Sequence, residues 1–237
     1  MVGAVRVRAV GAGSAIKKPA SKRRALPGPN AQAGANFDFE HAGWRAGHRI
    51  IGGIDEAGRG PWAGPVVAAC VVLDPDQLPE GIADSKKLSE EAREAVFGEI
   101  LRTAQVGVAF ADRERIDRDN ILQATMWAMQ QAVGELAKRP DLLLIDGNRA
   151  PQFSCAVQTI VKGDALSLSI AAASIVAKVS RDRMMHRFDA QFPDYGFGQH
   201  KGYGTPQHSL ALKKFGVTPL HRRSFKPVRA IIEAQDR

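Results

Sequence analysis

Residues 50–60 read Ile50-Ile51-Gly52-Gly53-Ile54-Asp55-Glu56-Ala57-Gly58-Arg59-Gly60, a short apolar run that ends on two adjacent acids and enters a glycine-rich turn. Such a run, bounded by turn residues, is the signature of a buried strand. A second, Val-rich run covers 66–73, and the link between them holds Gly58, Gly60, Pro61, Gly64 and Pro65, as expected of a hairpin-like connection. Working outward, Ser89 followed by Glu90 and Glu91 marks a capped helix start over 89–104. Strands are expected at 106–111, at 142–146 ending on Asp146, and at 156–161. Long helices are expected over 118–138 and 165–189, with a shorter one near 205–215. The small residues Ala171 to Ser174 suit close packing of a helix on a sheet. Strands that are first adjacent and then alternate with helices imply an α/β fold, a mixed β-sheet flanked by helices.

Composition narrows the function classes. The net charge is +8, but residues 1–37 carry Arg6, Arg8, Lys17, Lys18, Lys22, Arg23 and Arg24 and no acid, so +7 lies there and only +1 in the remainder. Residues 1–45 therefore read as a basic, disordered N-terminal extension, either a solubilising tail or a non-specific nucleic-acid arm. Residues 46–237 read as the folded domain. No apolar run is long enough to cross a bilayer, and the N-terminus lacks the apolar core of a secretory signal. Cys70 and Cys155 read as buried thiols of a reducing cytosol. The expectation is a cytoplasmic, monomeric protein with no membrane association.

The chemistry-bearing residues are acids at strand ends. Asp55 and Glu56 end the first strand, Asp146 ends the fourth, and Asp164 follows the fifth. Neighbouring strand ends of an α/β sheet can bring such groups into one crevice. Crowded carboxylates repel and take up protons unless a cation sits among them, and oxygen-only ligands suit Mg²⁺ or Mn²⁺ over zinc. Two such ions could activate a water and stabilise a leaving oxygen in an attack on a phosphodiester. Each acid alone has a turn-forming alternative, since Asp146 precedes and Asp164 follows a glycine. Adjacent Asp55 and Glu56 point to opposite sides of a continuing strand, so both reach one ion only if a turn begins there.

The run D-E-A-G-R-G-P at 55–61 resembles the opening motif of ribonuclease HII, the type 2 ribonuclease H family. The resemblance continues in A-G-P-V-V-A-A at 63–69, D-S-K-K-L at 84–88, L-I-D-G at 144–147 and K-G-D at 162–164. It extends through S-I-A-A-A-S-I-V-A-K at 169–178, H-K-G-Y-G-T at 200–205 and H-R-R-S-F at 221–225. It implies a ribonuclease H-like mixed sheet with a helical C-terminal extension that helps hold substrate. It also implies a metal-dependent endonuclease acting on RNA–DNA hybrids and on duplex DNA containing ribonucleotides, with cleavage 5′ to a single ribonucleotide, leaving 5′-phosphate and 3′-hydroxyl ends. Carried over position by position, the catalytic acids and metal ligands are Asp55, Glu56, Asp146 and Asp164, with Asp164 completing a two-metal site of Mn²⁺ or Mg²⁺ when substrate is bound. Gly58, Arg59 and Gly60 correspond to the loop that reads the ribose 2′-hydroxyl, and Tyr203 to the aromatic that stacks at the deoxyribose side of an RNA–DNA junction. Lys86 is a further candidate phosphate contact.

Between Asp194 and Glu233 the chain has no acid but holds Lys201, Lys213, Lys214, Arg222, Arg223, Lys226 and Arg229, a candidate phosphate-tracking patch. His200, His208 and His221 lack zinc-type companions and read as polar loop residues near substrate. The rivals are ribonuclease HIII, whose folded N-terminal domain this polar N-terminus does not match, a binding protein without catalysis, and a DNA-junction nuclease on the same fold. The four acids and the ribose-reading loop argue against the last two.

Overall fold

The computed structural model of the chain describes residues 34–82 and 88–235. Lys86 and residues 1–33 of the basic extension lie outside that range. Five strands make one mixed sheet in the order β3-β2-β1-β4-β5. β1 (Ile51–Ala57) pairs antiparallel with β2 (Val66–Val72), and β2 pairs antiparallel with β3 (Gln105–Ala111). β4 (Leu142–Asp146) lies parallel to β1, and β5 (Ala156–Ile160) parallel to β4.

Side-chain alternation sorts each strand between two cores. Ile54, Ala68, Cys70, Leu143 and Ile145 face α3 (Arg113–Gly134) and pack with its Ala124, Ala128 and Ala132. Val71, Ala69, Ile51 and Leu144 face α4 (Leu168–Gln191), with α2 (Glu90–Thr103) beside it. Helix α4 lies hard against β1, where a Cβ on Gly53 would come 2.1 Å from the backbone carbon of Ser169. Only glycine permits that approach, and the fully buried Ala171, Ala172 and Ala173 continue it along the helix.

Three features differ from the sequence expectations. Residues 38–45, assigned to the extension, form α1 (Asp38–Arg45) and pack on the domain. The Glu40 carboxylate is 1% exposed and accepts hydrogen bonds from Ser167 Oγ at 2.6 Å and the Ser169 amide at 2.9 Å, where it meets the positive end of α4. Helix α3 starts at Arg113, capped by the Asp112 side chain, and breaks at Asn120, whose φ is 67°. The Asn120 Oδ1 accepts from the Leu122 and Gln123 amides and so caps the second half. Cys155 is half-buried rather than fully buried. Among the described residues no helix is long and apolar enough to cross a membrane.

The C-terminal part comprises α5 (Phe197–His200), α6 (Pro206–Phe215) and α7 (Lys226–Gln235). Its core holds the three histidines, which are buried and not exposed loop residues. His208 Nδ1 donates to the Tyr203 carbonyl at 2.9 Å, which leaves Nε2 to accept from His221 Nε2 at 3.0 Å. The Nδ1 of His221 then accepts from the Thr218 amide at 2.9 Å. His200 Nε2 donates to the Tyr195 carbonyl at 2.7 Å, its Nδ1 accepts from the Gly202 amide, and its ring stacks on His208. The network works only with neutral rings, since a second proton on His208 or His221 would face a donor.

Burial lowers His208 to about 4 and His221 to about 3. The unfolded chain binds protons at these rings below about pH 6.5 while the folded chain does not, so stability falls as pH drops from there toward 4. The urea midpoint is expected to decline steadily across that window, and His208→Gln should flatten the slope. A midpoint constant from pH 7 to 4 would contradict neutral burial.

Candidate active site

The parallel pairing of β1 with β4, in register at Ile54 and Ile145, sets Asp55 and Asp146 side by side at the same end of the sheet. β5 continues past Ile160 into a 3₁₀ turn over Gly163–Ala165 that carries Asp164 back toward Asp146. Asp146 Oδ1 accepts from the Gly163 amide at 2.6 Å, fastening this turn to β4. The four sequence-predicted acids therefore gather at one edge, and Asp55, Glu56 and Asp146 each feel the charge of another acid.

β1 does not turn between Asp55 and Glu56. The strand continues through Ala57, with Glu56 opposite Ala68, and the turn begins at Gly58, whose φ is +94°. Asp55 accordingly faces α4 and Glu56 the other side. Asp55 Oδ1 accepts from the Glu56 amide at 2.7 Å, and the Ser174 hydroxyl of α4 also hydrogen-bonds it. Glu56 Oε1 accepts from Arg59 Nη1 at 3.0 Å. Among the described residues no three acid, histidine or cysteine side chains form a closed ion-binding set as they stand.

The electrostatics nonetheless suit a cation. Burial pushes Asp55 well above the ordinary carboxylate range, with Glu56 and Asp146 adding repulsion. Glu56 and Asp146 are raised as well, chiefly by burial, although Arg59 pulls Glu56 down and the Gly163 amide pulls Asp146 down. This is an all-oxygen donor set in which burial and mutual repulsion disfavour the ionised carboxylates, which fits a hard divalent ion. Asp55, Asp146 and Asp164 on one side, and Glu56 from the opposite side of β1, are the residues able to supply oxygens to such ions.

Two of the acids, Glu56 and Asp164, line a cleft of about 410 Å³ together with the loop 58–60, Ser174, Lys178, Arg181 and Tyr203. A Cβ on Gly60 would touch the Tyr203 ring at 3.4 Å, so the aromatic lies over the loop, and it is 49% exposed. A Cβ on Gly204 would enter the Trp62 ring at 2.1 Å, and one on Gly202 would meet the Ala63 carbonyl at 2.4 Å, so the flanking glycines let this loop sit against residues 62–63. Ser174, Lys178 and Arg181 were not singled out from sequence, although their spacing of four and three residues puts them on one face of α4. Of the basic patch, Arg222 is fully buried and does not meet solvent. Lys201 donates to the Gly198 carbonyl and contacts His186.

The family model described as Ribonuclease HII matches residues 52–228. The Ribonuclease HII of Azorhizobium caulinodans is 54% identical over 198 residues, covering 84% of this chain and 76% of that protein. That of Xanthobacter autotrophicus is 56% identical over 196 residues, covering 83% and 79%. Among solved structures, ribonuclease H2 of Pyrococcus horikoshii superposes with a TM-score of 0.67 at 25% identity, covering 80% of this chain and all of that one. The RNase HII of Archaeoglobus fulgidus, solved in complex with PCNA, gives 0.63 at 29% identity over 75% and 96%.

The crowding of the acids has a measurable consequence. A carboxylate whose folded pKa is raised destabilises the fold once it ionises. The isosteric Asp55→Asn, which keeps an acceptor for the Glu56 amide, is therefore expected to raise the melting temperature of the metal-free protein. The gain should be about 2–4 °C, the shift that ~1 kcal/mol makes in a chain of this size. Calorimetry in a chelator checks this, and a lower melting temperature would mean that the acids are not in electrostatic conflict.

Proposed function

The chain belongs to the ribonuclease HII family of RNA–DNA hybrid endoribonucleases, and from that premise we propose that it also incises duplex DNA 5′ to single embedded ribonucleotides, using Mg²⁺ or Mn²⁺ held by Asp55, Glu56, Asp146 and Asp164. The observation that carries this reading is the junction of two features in one cleft, the acids Glu56 and Asp164 beside Asp55 and Asp146, and the glycine loop overlaid by Tyr203. A phosphodiester whose sugar rests on that loop would present its phosphorus to the acids.

The bound divalent ions would supply Lewis-acid activation of a water and stabilisation of the leaving oxygen. The chain's own residues do the rest. Asp55 and Asp146 fix the position of the charge, both anchored by backbone amides. Glu56, which now accepts from Arg59, would hold the ion instead, and the Arg59 guanidinium would then be available to a phosphate oxygen. Lys178, ion-paired with Asp182, and the buried Arg181 form part of the cleft wall. An external water attacks the phosphorus and the bond to the 3′-oxygen breaks, which leaves a 3′-hydroxyl and a 5′-phosphate. The RNA's own 2′-hydroxyl serves for recognition, because it is the group that separates RNA from DNA at a single nucleotide. Gly58 and Gly60 keep side chains out of the way of the sugar. Tyr203, half-exposed between glycines, stacks on the sugar of the following deoxynucleotide.

The assay is a labelled DNA duplex holding one ribonucleotide, with divalent metal added or chelated. Cleavage on the 5′ side of that ribonucleotide is expected only with metal, and Asp55→Asn or Asp146→Asn should abolish it. Chelator-resistant cutting, or undiminished activity in either variant, refutes the proposal. For Tyr203→Ala, cleavage at RNA–DNA junctions should fall about tenfold, in line with the ~1–3 kcal/mol of an aromatic stacking contact, while metal titration by calorimetry stays as in the wild type. Unimpaired junction cleavage would remove that role.

A further inference from the structure

Two arginines lie beneath the loop 58–60, and among the described residues neither forms an ion pair with an acid. Arg222 is fully buried, and its guanidinium donates to three carbonyls: Nε to Gly64 at 2.9 Å, Nη1 to Arg59 at 3.0 Å and Nη2 to Gly58 at 2.6 Å. Arg181, 2% exposed, donates from Nε to Pro65 at 3.0 Å, from Nη1 to Lys201 at 2.9 Å and from Nη2 to Ala63 at 3.3 Å. Burial lowers Arg181 to about 10 and Arg222 to about 9, the Arg181 charge adding to the effect on Arg222. Two neighbouring buried cations without a bonded anion are an expensive way to fill space, which an apolar side chain would do at less cost. What guanidinium alone supplies is a rigid planar fork that holds several acceptors in fixed relative positions.

The geometry of the peptide unit shows what that grip achieves. In a trans peptide the N–H points away from the preceding C=O. With the Gly58 and Arg59 carbonyls drawn inward to Arg222, the amides of Arg59 and Gly60 are turned outward, away from the guanidinium. Among the described residues neither amide donates to any protein acceptor. The floor is equally fixed, since a Cβ on Gly58 would lie 2.0 Å from Arg181 Nε. The backbone of the same residue extends the unit toward Tyr203: the Arg222 amide donates to the Trp62 carbonyl at 2.8 Å, and the Trp62 amide to the Gly202 carbonyl at 2.8 Å.

We propose that Arg222 is the positioning residue for ribose discrimination, holding the Gly58 and Arg59 carbonyls from inside so that the Arg59 and Gly60 amides are set in advance toward the sugar hydroxyl. The inference rests on the reading of this cleft as a ribonucleotide site. Rigid donors distinguish ribose from deoxyribose because they cannot relax to other acceptors when the hydroxyl is missing. A loop free to move would bind both sugars more equally.

The test measures discrimination in a chelator, apart from catalysis, as the ratio of dissociation constants for an all-DNA duplex and the same duplex with one ribonucleotide. Arg222→Lys keeps the charge but cannot hold three carbonyls in one plane. It is expected to lower that ratio about tenfold, equivalent to ~1.4 kcal/mol, mainly by weakening ribonucleotide binding. Ile100→Ala, a core change remote from the loop, should lose stability yet keep the wild-type ratio. If Arg222→Lys does not fold, Asp117→Asn replaces it. Asp117 accepts from the Arg223 and Ser224 amides at 3.0 and 2.8 Å and steadies the segment that carries Arg222, so this variant should lower the ratio in the same direction. An unchanged ratio in folded Arg222→Lys, or in Asp117→Asn when only that variant folds, overturns the inference. No preference in the wild type would instead overturn the ribonucleotide-site reading on which it rests.

Discussion

Like charges held close together in a partly buried place are the constraint around which this protein is organised. Asp55 and Asp146 are far apart in sequence and become neighbours because β1 and β4 run parallel, with Ile54 and Ile145 in register. Burial of Asp55 is the main cost to stability, and the charges of Glu56 and Asp146 add to it. The fold sustains it through two large apolar contacts, α4 on one face of the sheet and α3 on the other. Hydrophobic burial of that extent outweighs a local electrostatic penalty of a few kcal/mol.

The same sheet edge solves a second problem, that of holding a loop still. A glycine-rich loop is chosen for close approach but loses much conformational freedom on ordering. Here the ordering comes from inside. Arg222 and Arg181 hold carbonyls of 58, 59, 63, 64, 65 and 201, and the histidine network fixes the Tyr203 carbonyl and the Gly202 amide. The two halves of the cleft, loop and aromatic, are thereby linked through one buried polar unit. Such networks are effective when every member is satisfied, and the three rings each have a donor and an acceptor role assigned by their neighbours.

The N-terminal boundary follows similar physics. Helix α1 is short and would not persist alone. It is retained because Glu40 meets the N-terminus of α4, and because Asn36 bridges to the 166–168 segment, with the Asn36 amide donating to Leu166 and the Leu168 amide to Asn36. This junction lies a few residues beyond Asp164, so a segment preceding the family match helps define the turn that carries an acid.

Much of the architecture was legible in the sequence. Apolar runs gave the five strands, the Ser89 cap gave a helix start, and the alanines 171–173 marked the helix that packs closest. The motif series located the acids, the glycine loop and Tyr203, since those features are local in the chain. The remainder depended on long-range pairing. That β1 continues through Glu56, that Arg222 turns inward from a basic stretch, and that three histidines are buried are outcomes of which elements pack together. Local pattern carries only which residues could be charged or apolar. Elements and chemistry-bearing residues could be read from chain order, because periodicity and turn chemistry act between near neighbours. Which of those residues meet could not, because burial and strand register are set by the whole chain at once and determine where each charge must find its partner.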